Sequence, residues 1–347
     1  MALLYGRTII DSLHERIGEQ RPMEGPPATE ERTIWCKNPE ANFRCTVTVQ
    51  VTPAQTANHR YVPAGWARII GSHGNRDGGG VAGVFRGGPE FNYDIYAFQA
   101  GLDVYRHYGA DGSRDHVGVY GAVGRLTGDV RHINGIKAGT NTIDAQSVGA
   151  YWTHFGPSGW YIDGVVQATW YDAEADSNRL FKLRRKAVGY AASLEAGYPV
   201  ALGGGWIIEP QAQLIYQTIP TRTGDDGAAI VRFSNVDSLA GRLGARLAKD
   251  WLMGETTASQ ATPGLLTTWL KASVWNEFLG SPRTSFSSAA GFVPFRSDLG
   301  GYWAEVKVGV DARFNANVAL FASAGYSVGL ERGSQAYDGK IGIKVAW

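Results

Sequence analysis

Hydrophobic and polar residues alternate with a period of two through most of the chain, from residue 64 to the C-terminus. The segment 302–311 is an example, because one face is apolar and the other carries Glu305, Lys307 and Asp311. Such alternation predicts β-strands with one apolar and one polar face. Turns rich in Gly, Asp, Asn and Pro separate these segments, and no helical pattern recurs among them. This part of the chain is therefore expected to be all-β.

The number of strands and their connections favour a closed barrel. About twelve segments lie between Trp66 and Trp347, and an even number of antiparallel strands is typical of bacterial outer-membrane barrels. Short connections alternate with long polar ones, as periplasmic turns alternate with extracellular loops in such barrels. The short connections are residues 156–159, 203–205 and 314–317, and the long ones are residues 73–90, 127–140, 173–186 and 219–229. Residues 106–114 and 249–263 would be unusually long turns on the short side.

The polar face suits the water-filled lumen of a membrane barrel. Alternation alone also fits a soluble β-sandwich, in which the polar face meets water. The apolar faces favour the membrane barrel, because they end in aromatic residues and are long enough to cross a bilayer. The lumen wall is then expected to carry charges of both signs, which are Asp103, Asp163, Glu195, Glu209, Arg242, Arg246, Lys271, Glu305 and Lys307.

The N-terminal segment has a different, helical pattern. Leu3, Ile10, Leu13 and Ile17 recur at helical spacing, which predicts an amphipathic helix over residues 2–20 within an N-terminal region of residues 1–21. Proline at position 22 would end it. The polar side of this helix carries both signs of charge, on Arg7, Asp11, Glu15, Arg16 and Glu19.

Residues 22–63 are expected to form a Pro-rich linker between the helix and the barrel domain of residues 64–347. Only residues 46–52 alternate as a short strand would. Cys36 and Cys45 enclose a short stretch that could close as a disulfide loop, which is typical of an oxidising compartment. Two unpaired thiols remain the alternative.

Composition and charge exclude several classes of function. The net charge of +1 gives no field that would attract nucleic acid. The mean hydropathy of −0.19, without an apolar run of about 18 residues, argues against a membrane-spanning helix. The 11 Trp, 16 Tyr and 13 Phe residues suit the aromatic girdles of a membrane barrel. The first 20 residues lack a signal-peptide pattern, so an exported chain is expected to have lost an upstream segment.

No motif for catalysis, a cofactor or a metal ion stands out. Residues 78–83 match G-x-G-x-x-G, but no helix pattern follows them, so we interpret them as a surface loop. The 7 histidines lie mostly in expected loops and turns, and no G-x-S-x-G elbow is present, which argues against a serine nucleophile. The two cysteines do not fit a zinc pattern. The chain is therefore expected to be neither an enzyme nor a cofactor-binding protein.

Three groups of motifs together resemble the translocator domain of monomeric autotransporters, the type V secretion family. Residues 12–18 (SLHERIG) resemble the end of that family's helix. Strand segments similar to the family's include GWAR at 65–68, LEAGY at 194–198 and GRLGARL at 241–247. The last eight residues, KIGIKVAW, resemble the C-terminal assembly signal of outer-membrane barrels, with Lys340, Gly342, Val345 and Trp347 at its pattern positions. The resemblance covers residues 2–20 and 64–347.

The resemblance implies a twelve-stranded antiparallel barrel in the outer membrane of a Gram-negative bacterium, with the N-terminal helix in its lumen. The barrel would carry an N-terminal passenger to the cell surface, and the helix would then plug the pore. Implied partners are outer-membrane lipid and lipopolysaccharide, the barrel assembly machinery, periplasmic chaperones and the chain's own passenger, with the barrel a monomer.

Two features depart from the family pattern. The linker of residues 22–63 is longer than usual, and residues 2–20 contain no asparagine, so cleavage between two adjacent asparagines is not expected. A passive barrel, either a porin or an adhesin built from its own loops, is the alternative function. The helix argues against a porin, because a porin keeps its lumen open.

Overall fold

The computed structural model describes the N-terminal helix, a separate hairpin and the barrel. The described residues are 1–16, 28–38, 41–51 and 64–347, apart from 78–79, 82–83, 86–89, 110, 133, 178–181, 222–223, 226–229, 254–263, 281–282, 290, 297–299, 315–316 and 332. Among these residues, no helix combines the length and the apolar character that crossing a membrane requires.

Helix α1 runs over Ala2–His14, inside the segment that the apolar spacing predicts. Its buried residues include Tyr5, Ile9 and Leu13, which lie one helical turn apart and form one apolar stripe. His14 in the last turn is the basic residue nearest the C-terminal end of the helix, where the helix dipole favours positive charge. The predicted extension over residues 17–20, which includes Glu19, lies outside the described residues.

A two-stranded antiparallel hairpin lies within the predicted linker. Its strands are Ala28–Asn38 and Ala41–Val51, and they pair along their whole length. The expected short strand at 46–52 overlaps the second strand, whereas the first strand was predicted to be irregular. Its polar sequence, ATEERTIWCKN, has no regular alternation, which is why the pattern did not indicate a strand. Cys36 is opposite Phe43 and Cys45 is opposite Ile34, and the predicted disulfide depends on side chains outside those described.

Twelve long strands form the barrel. The first six are β1 (Ala64–Arg76), β2 (Glu90–Tyr108), β3 (Arg114–Arg131), β4 (Lys137–Phe155), β5 (Tyr161–Ser177) and β6 (Leu183–Gly197). The last six are β7 (Trp206–Ile219), β8 (Val236–Met253), β9 (Gly264–Glu277), β10 (Gly301–Arg313), β11 (Val318–Gly329) and β12 (Gln335–Ala346).

These strands close on themselves, as predicted. Each pairs antiparallel with its neighbours in the chain, and β12 also pairs with β1, where Ala346 lies opposite Ala64. The pairing of β6 with β7 completes the ring, and the short strand Val200–Gly203 adds to the start of β7. Side chains alternate between a buried inner face and an exposed outer face, as in the burial pattern of β9. The predicted twelve-stranded antiparallel barrel is therefore confirmed.

The strands extend beyond the lengths predicted from their apolar faces. β2 and β4 have 19 residues each, and β3 has 18, so most of residues 127–140 is strand rather than loop. The expected long turn at 106–114 is short, because β2 ends at Tyr108 and β3 begins at Arg114. The alternation covers only part of each of these strands, because strand ends that project into water need no apolar outer face.

A small sheet connects two loops at the end of the barrel opposite the C-terminus. It consists of Gly224–Asp225 and Ile230–Phe233 between β7 and β8, and Arg283–Ser288 and Gly291–Arg296 between β9 and β10. A further short hairpin, Gly80–Val81 with Val84–Phe85, lies between β1 and β2. Of the glycine-rich segment at residues 78–83, Gly80 and Val81 are described and belong to this hairpin, and no helix follows them among the described residues.

Candidate functional site

The lumen of the barrel contains α1, whose apolar face packs on aromatic and aliphatic side chains of the wall. Tyr5 is fully buried and contacts Tyr171 edge to face, with ring centroids 6.3 Å apart. Ile9 and Leu13 belong to the same buried cluster, together with wall residues of β1 to β5. A Cβ atom on Gly6 would lie 2.3 Å from Oε1 of Gln217, so the wall approaches this turn of the helix closely.

Four wall side chains bond to carbonyl groups of the helix. The hydroxyl of Tyr171 donates to the carbonyl of Ala2 at 3.4 Å. Nε2 of Gln217 donates to the carbonyl of Leu3, and Nε2 of Gln99 donates to the carbonyl of Ile9, each at 3.3 Å. Arg68 donates to the carbonyl of Ser12. These contacts distribute donors of the wall along the length of α1. The helix backbone is therefore held at several heights in the lumen, in addition to its side-chain contacts.

Glu15 lies at the centre of a lysine cluster on one side of the lumen. Its carboxylate is 2.8 Å from Nζ of Lys340, 3.1 Å from Nζ of Lys307 and 3.3 Å from Nζ of Lys271. Asp11, one turn earlier, is 2.6 Å from Nζ of Lys307. The side chains in these ion pairs are buried, so each charge requires a partner of the opposite sign.

The residues on either side of Glu15 contact an acidic part of the wall. Nδ1 of His14 is 2.7 Å from Oδ2 of Asp163, and Nη2 of Arg16 is 2.8 Å from Oδ1 of the same carboxylate. Arg16 also donates to Oγ1 of Thr153 at 2.7 Å and lies 3.8 Å over the ring of Tyr151. His14 and Arg16 are thus paired with a charge on β5, whereas Glu15 between them is paired with charges on β9, β10 and β12.

Further ion pairs join residues of the wall. Arg242 contacts Glu195 at 2.5 Å, and Tyr161 donates to the same carboxylate at 2.7 Å. Arg246 is 3.5 Å from Asp311. Asp103 accepts from the hydroxyl of Tyr151 at 2.5 Å, Glu209 accepts from Gln211 at 2.7 Å, and Glu305 is 3.6 Å from Lys307. The charges predicted for the lumen wall all lie buried in the barrel interior.

Several residues at the contact between the helix and the wall were not predicted from the sequence. His14 was not among the charged helix residues, and Arg68 and Ser12 were not singled out. Arg68 shares the inner face of β1 with Trp66 and Ile70, so the alternation itself could have indicated it. Of the predicted helix charges, Asp11, Glu15 and Arg16 form ion pairs, and Arg7 lies 4.5 Å over the ring of Trp303.

The predicted C-terminal assembly signal has two faces. Trp347 is 64% exposed, and Ile341 and Ile343 are exposed as well, so this apolar row points away from the lumen. Lys340 points inward and contacts Glu15, a role that the signal pattern did not indicate. A Cβ atom on Gly342 would lie 2.3 Å from the ring of Phe321, so a residue without a side chain is required there. Val345 is half-buried.

A cavity of about 220 Å³ lies between α1 and the wall formed by β9 to β12 and β1. Its lining includes Arg7, Asp11, Trp303, Glu305 and Lys307. Polar groups of both signs and this volume suit bound water. The helix therefore packs closely on one side of the lumen and leaves a cavity with charged groups in its lining on the other.

The fold and the occupied lumen define this protein as an outer-membrane barrel of the translocator type. The family model described as "Autotransporter beta-domain" matches residues 65–325. Because this match covers most of the chain, the chain belongs to the autotransporter β-domain family. It is accordingly a translocator domain of the outer membrane of a Gram-negative bacterium.

Relatives and solved structures agree with this assignment. The chain is 28% identical over 90% of its length to the adhesin BmaC autotransporter of Brucella suis and covers 9% of that protein. It is 30% identical over 70% of its length to the pertactin autotransporter of Bordetella bronchiseptica and covers 25% of that protein. The transport unit of AIDA-I from Escherichia coli has the same fold, with a TM-score of 0.66, 19% identity, and coverage of 84% of this chain and 92% of that structure.

Proposed function

We propose that this barrel delivers an N-terminal passenger to the cell surface and that α1 then plugs the lumen. The fit of α1 in the lumen supports the proposal, because its apolar stripe packs on apolar wall residues and its charges form ion pairs with the wall. An empty lumen lined with these buried charges would need water or counter-ions in place of the helix. The alternative of an open porin is not favoured, since the helix occupies the pore.

The direction of α1 supports the proposed route. Met1 lies beside the ends of β3 and β4 that face away from the C-terminus, where Nδ2 of Asn141 is 3.6 Å from its sulfur. Arg16 lies towards the opposite end, beside Tyr151 and Asp163. Because short turns face the periplasm in such barrels, the helix runs inward from the cell surface. A segment preceding residue 1 would leave the lumen on the extracellular side.

Surface display tests the delivery step. A folded reporter with an epitope, joined upstream of residue 1 and exported by a signal peptide, is expected to become accessible to antibody and protease on intact cells. The matched control joins the same reporter to the same signal peptide without the barrel, and it should stay inaccessible. A reporter that remains in the periplasm although the barrel is folded in the outer membrane would contradict passenger delivery.

We further propose that the C-terminal segment is recognised by the barrel assembly machinery after periplasmic chaperones deliver the chain. The outward apolar row that ends in Trp347 supports this, because an exposed terminal indole is available to a partner and suits the membrane interface. Deletion of Trp347 is expected to lower the amount of barrel in the outer membrane severalfold, measured by heat-modifiable migration of membrane fractions. Replacement of Tyr337, which is exposed on the same strand, by Leu is the control and should leave the level unchanged.

The structure places a Ser-His-Asp arrangement in the lumen, and we propose that it is not catalytic. Nε2 of His14 is 2.8 Å from Oγ of Ser193, and Nδ1 of His14 is 2.7 Å from Asp163. However, Oγ of Ser193 also donates to the carbonyl of Leu214 at 3.1 Å, and the group is buried beneath the helix. A substrate carbonyl could not reach this hydroxyl while His14 is in place.

A serine-directed probe tests this proposal. A fluorophosphonate is expected to leave Ser193 of the folded, full-length chain unmodified, because the hydroxyl is buried. Intact-mass measurement with peptide mapping reads the outcome, and Ser193→Ala is the matched control. Labelling of Ser193 in the wild-type barrel that disappears in Ser193→Ala and in His14→Ala would establish a serine nucleophile and contradict the non-enzymatic assignment.

A further inference from the structure

One lysine on the outer face of the barrel lies between two tryptophan rings. Nζ of Lys249 is 4.1 Å from the ring centroid of Trp251 and 4.9 Å from that of Trp206. Lys249 lies directly opposite Trp206 in the pairing of β8 with β7. Trp251 is 47% exposed and Trp206 is 41% exposed, so both present apolar surface to the surroundings of the barrel. This group, here called the Lys249 site, has no part in the lumen.

The position of the Lys249 site is at the periplasmic edge of the lipid-facing surface. Arg246 and Ala248 on the same strand are buried in the barrel interior, so the intervening odd-numbered positions point outward. Trp206 is the first residue of β7 and follows the short turn at Gly203–Gly205. Tryptophan is enriched at this depth, where its ring meets both acyl chains and head groups.

No carboxylate of the described part of the chain pairs with Lys249. Among the described residues, Lys249 forms no ion pair, and its contacts are the two indole rings. On the same strand, Asp250 bonds instead to the hydroxyl of Thr267. Indole rings attract the ammonium group but carry no net charge, so they position it without cancelling it. A lysine held at a membrane interface without a carboxylate is suited to an anion from the lipid.

We propose that the Lys249 site binds the phosphate of a phospholipid head group in the periplasmic leaflet. The ammonium group of Lys249 contacts the phosphate oxygens, and the rings of Trp206 and Trp251 pack on the glycerol backbone and the first acyl carbons. Trp251 is held in place by the bond from its Nε1 to Oγ1 of Thr268 at 3.1 Å. The site thus combines one positive charge with two apolar surfaces, which matches the junction between a head group and its chains.

Lipid retention by the purified full-length barrel tests the proposal. Native mass spectrometry with dioleoyl phosphatidylglycerol is expected to detect a bound lipid whose apparent affinity falls about fivefold in Lys249→Gln. Lys249→Arg should retain the lipid, because it keeps the charge and the contact with the rings. Lys186→Gln is the matched control, since Lys186 is an exposed lysine that pairs with Asp172 at the other end of the barrel. Each variant is first checked for folding by heat-modifiable migration.

Two further measurements distinguish a phospholipid from inorganic phosphate and from lipopolysaccharide as the ligand. Millimolar inorganic phosphate is expected not to displace the phospholipid, and the binding of lipopolysaccharide should be equal in wild type and Lys249→Gln. If Lys249→Gln does not fold, Trp206→Leu with Trp251→Leu removes the rings while keeping the charge, and it should weaken phosphatidylglycerol binding. Equal phospholipid affinity in wild type and a folded variant, displacement by phosphate, or selective loss of lipopolysaccharide would each overturn the proposal.

Discussion

Deletion of residues 1–20 is expected to convert the barrel into a steadily open pore in planar lipid bilayers. In the wild type, α1 fills much of the lumen with Tyr5, Ile9 and Leu13 packed on the wall and leaves a cavity of about 220 Å³. Without the helix, the ring of buried charges would be hydrated and would line a continuous water path. We expect the mean conductance to rise about tenfold or more, because a barrel of twelve strands is wider than its wall side chains alone can fill.

A second variant separates plugging from assembly. Ile9→Asp keeps the full chain but places an unpaired carboxylate in the apolar cluster, and it should give frequent openings of the same amplitude as the deletion. Thr8→Asp is the matched control, because Thr8 is only partly buried and lines the cavity between the helix and the wall. Both variants must show the heat-modifiable migration of a folded barrel. Equal conductance of wild type and deletion would contradict plugging while leaving passenger delivery to be judged by surface display.

The barrel was predictable from the sequence because the two faces of each strand meet different environments, the lumen on one side and lipid on the other. Glu195 and Arg242 appear on the polar face of the alternation, and both are buried in the interior. A residue's inward or outward direction is a local property that a period of two encodes. The same alternation puts Arg68 and Lys340 on the inner faces of their strands.

The partners of each charge were not predictable, since they depend on how the helix is seated. Lys307 and Asp11 are separated by 296 positions in the sequence, and nothing in the local pattern of either residue identifies the other. The alternation also could not give the full length of β2 or β4, because their outer ends project beyond the apolar band. The contact between Ser193 and His14 likewise depends on the rotation of α1 about its axis. The hydrophobic stripe indicates that rotation only approximately.

Reversal of the charge of Glu15 is expected to loosen the inner end of the helix. Glu15→Lys would bring a fourth ammonium group against Lys271, Lys307 and Lys340, and all of these groups are buried. Removing one partner of a buried ion pair costs about 3–5 kcal/mol, and here a repulsion is added. We therefore expect the open probability in planar bilayers to rise severalfold, whereas single-channel amplitude should stay below that of the deletion because the apolar part of α1 remains packed.

The rescue variant makes this prediction specific. Lys340→Glu combined with Glu15→Lys restores an ion pair of opposite polarity at the contact that is 2.8 Å long in the wild type, so the open probability should return most of the way to the wild-type value. Asp176→Lys has the same change in charge at an exposed position on β5 and should leave the channel closed. Because Lys340 also lies in the C-terminal segment, Lys340→Glu alone is measured for its level in the membrane. A double variant that opens as often as Glu15→Lys would mean that Lys340 does not hold the helix in place, and that the apolar stripe of Tyr5, Ile9 and Leu13 is sufficient to seat it.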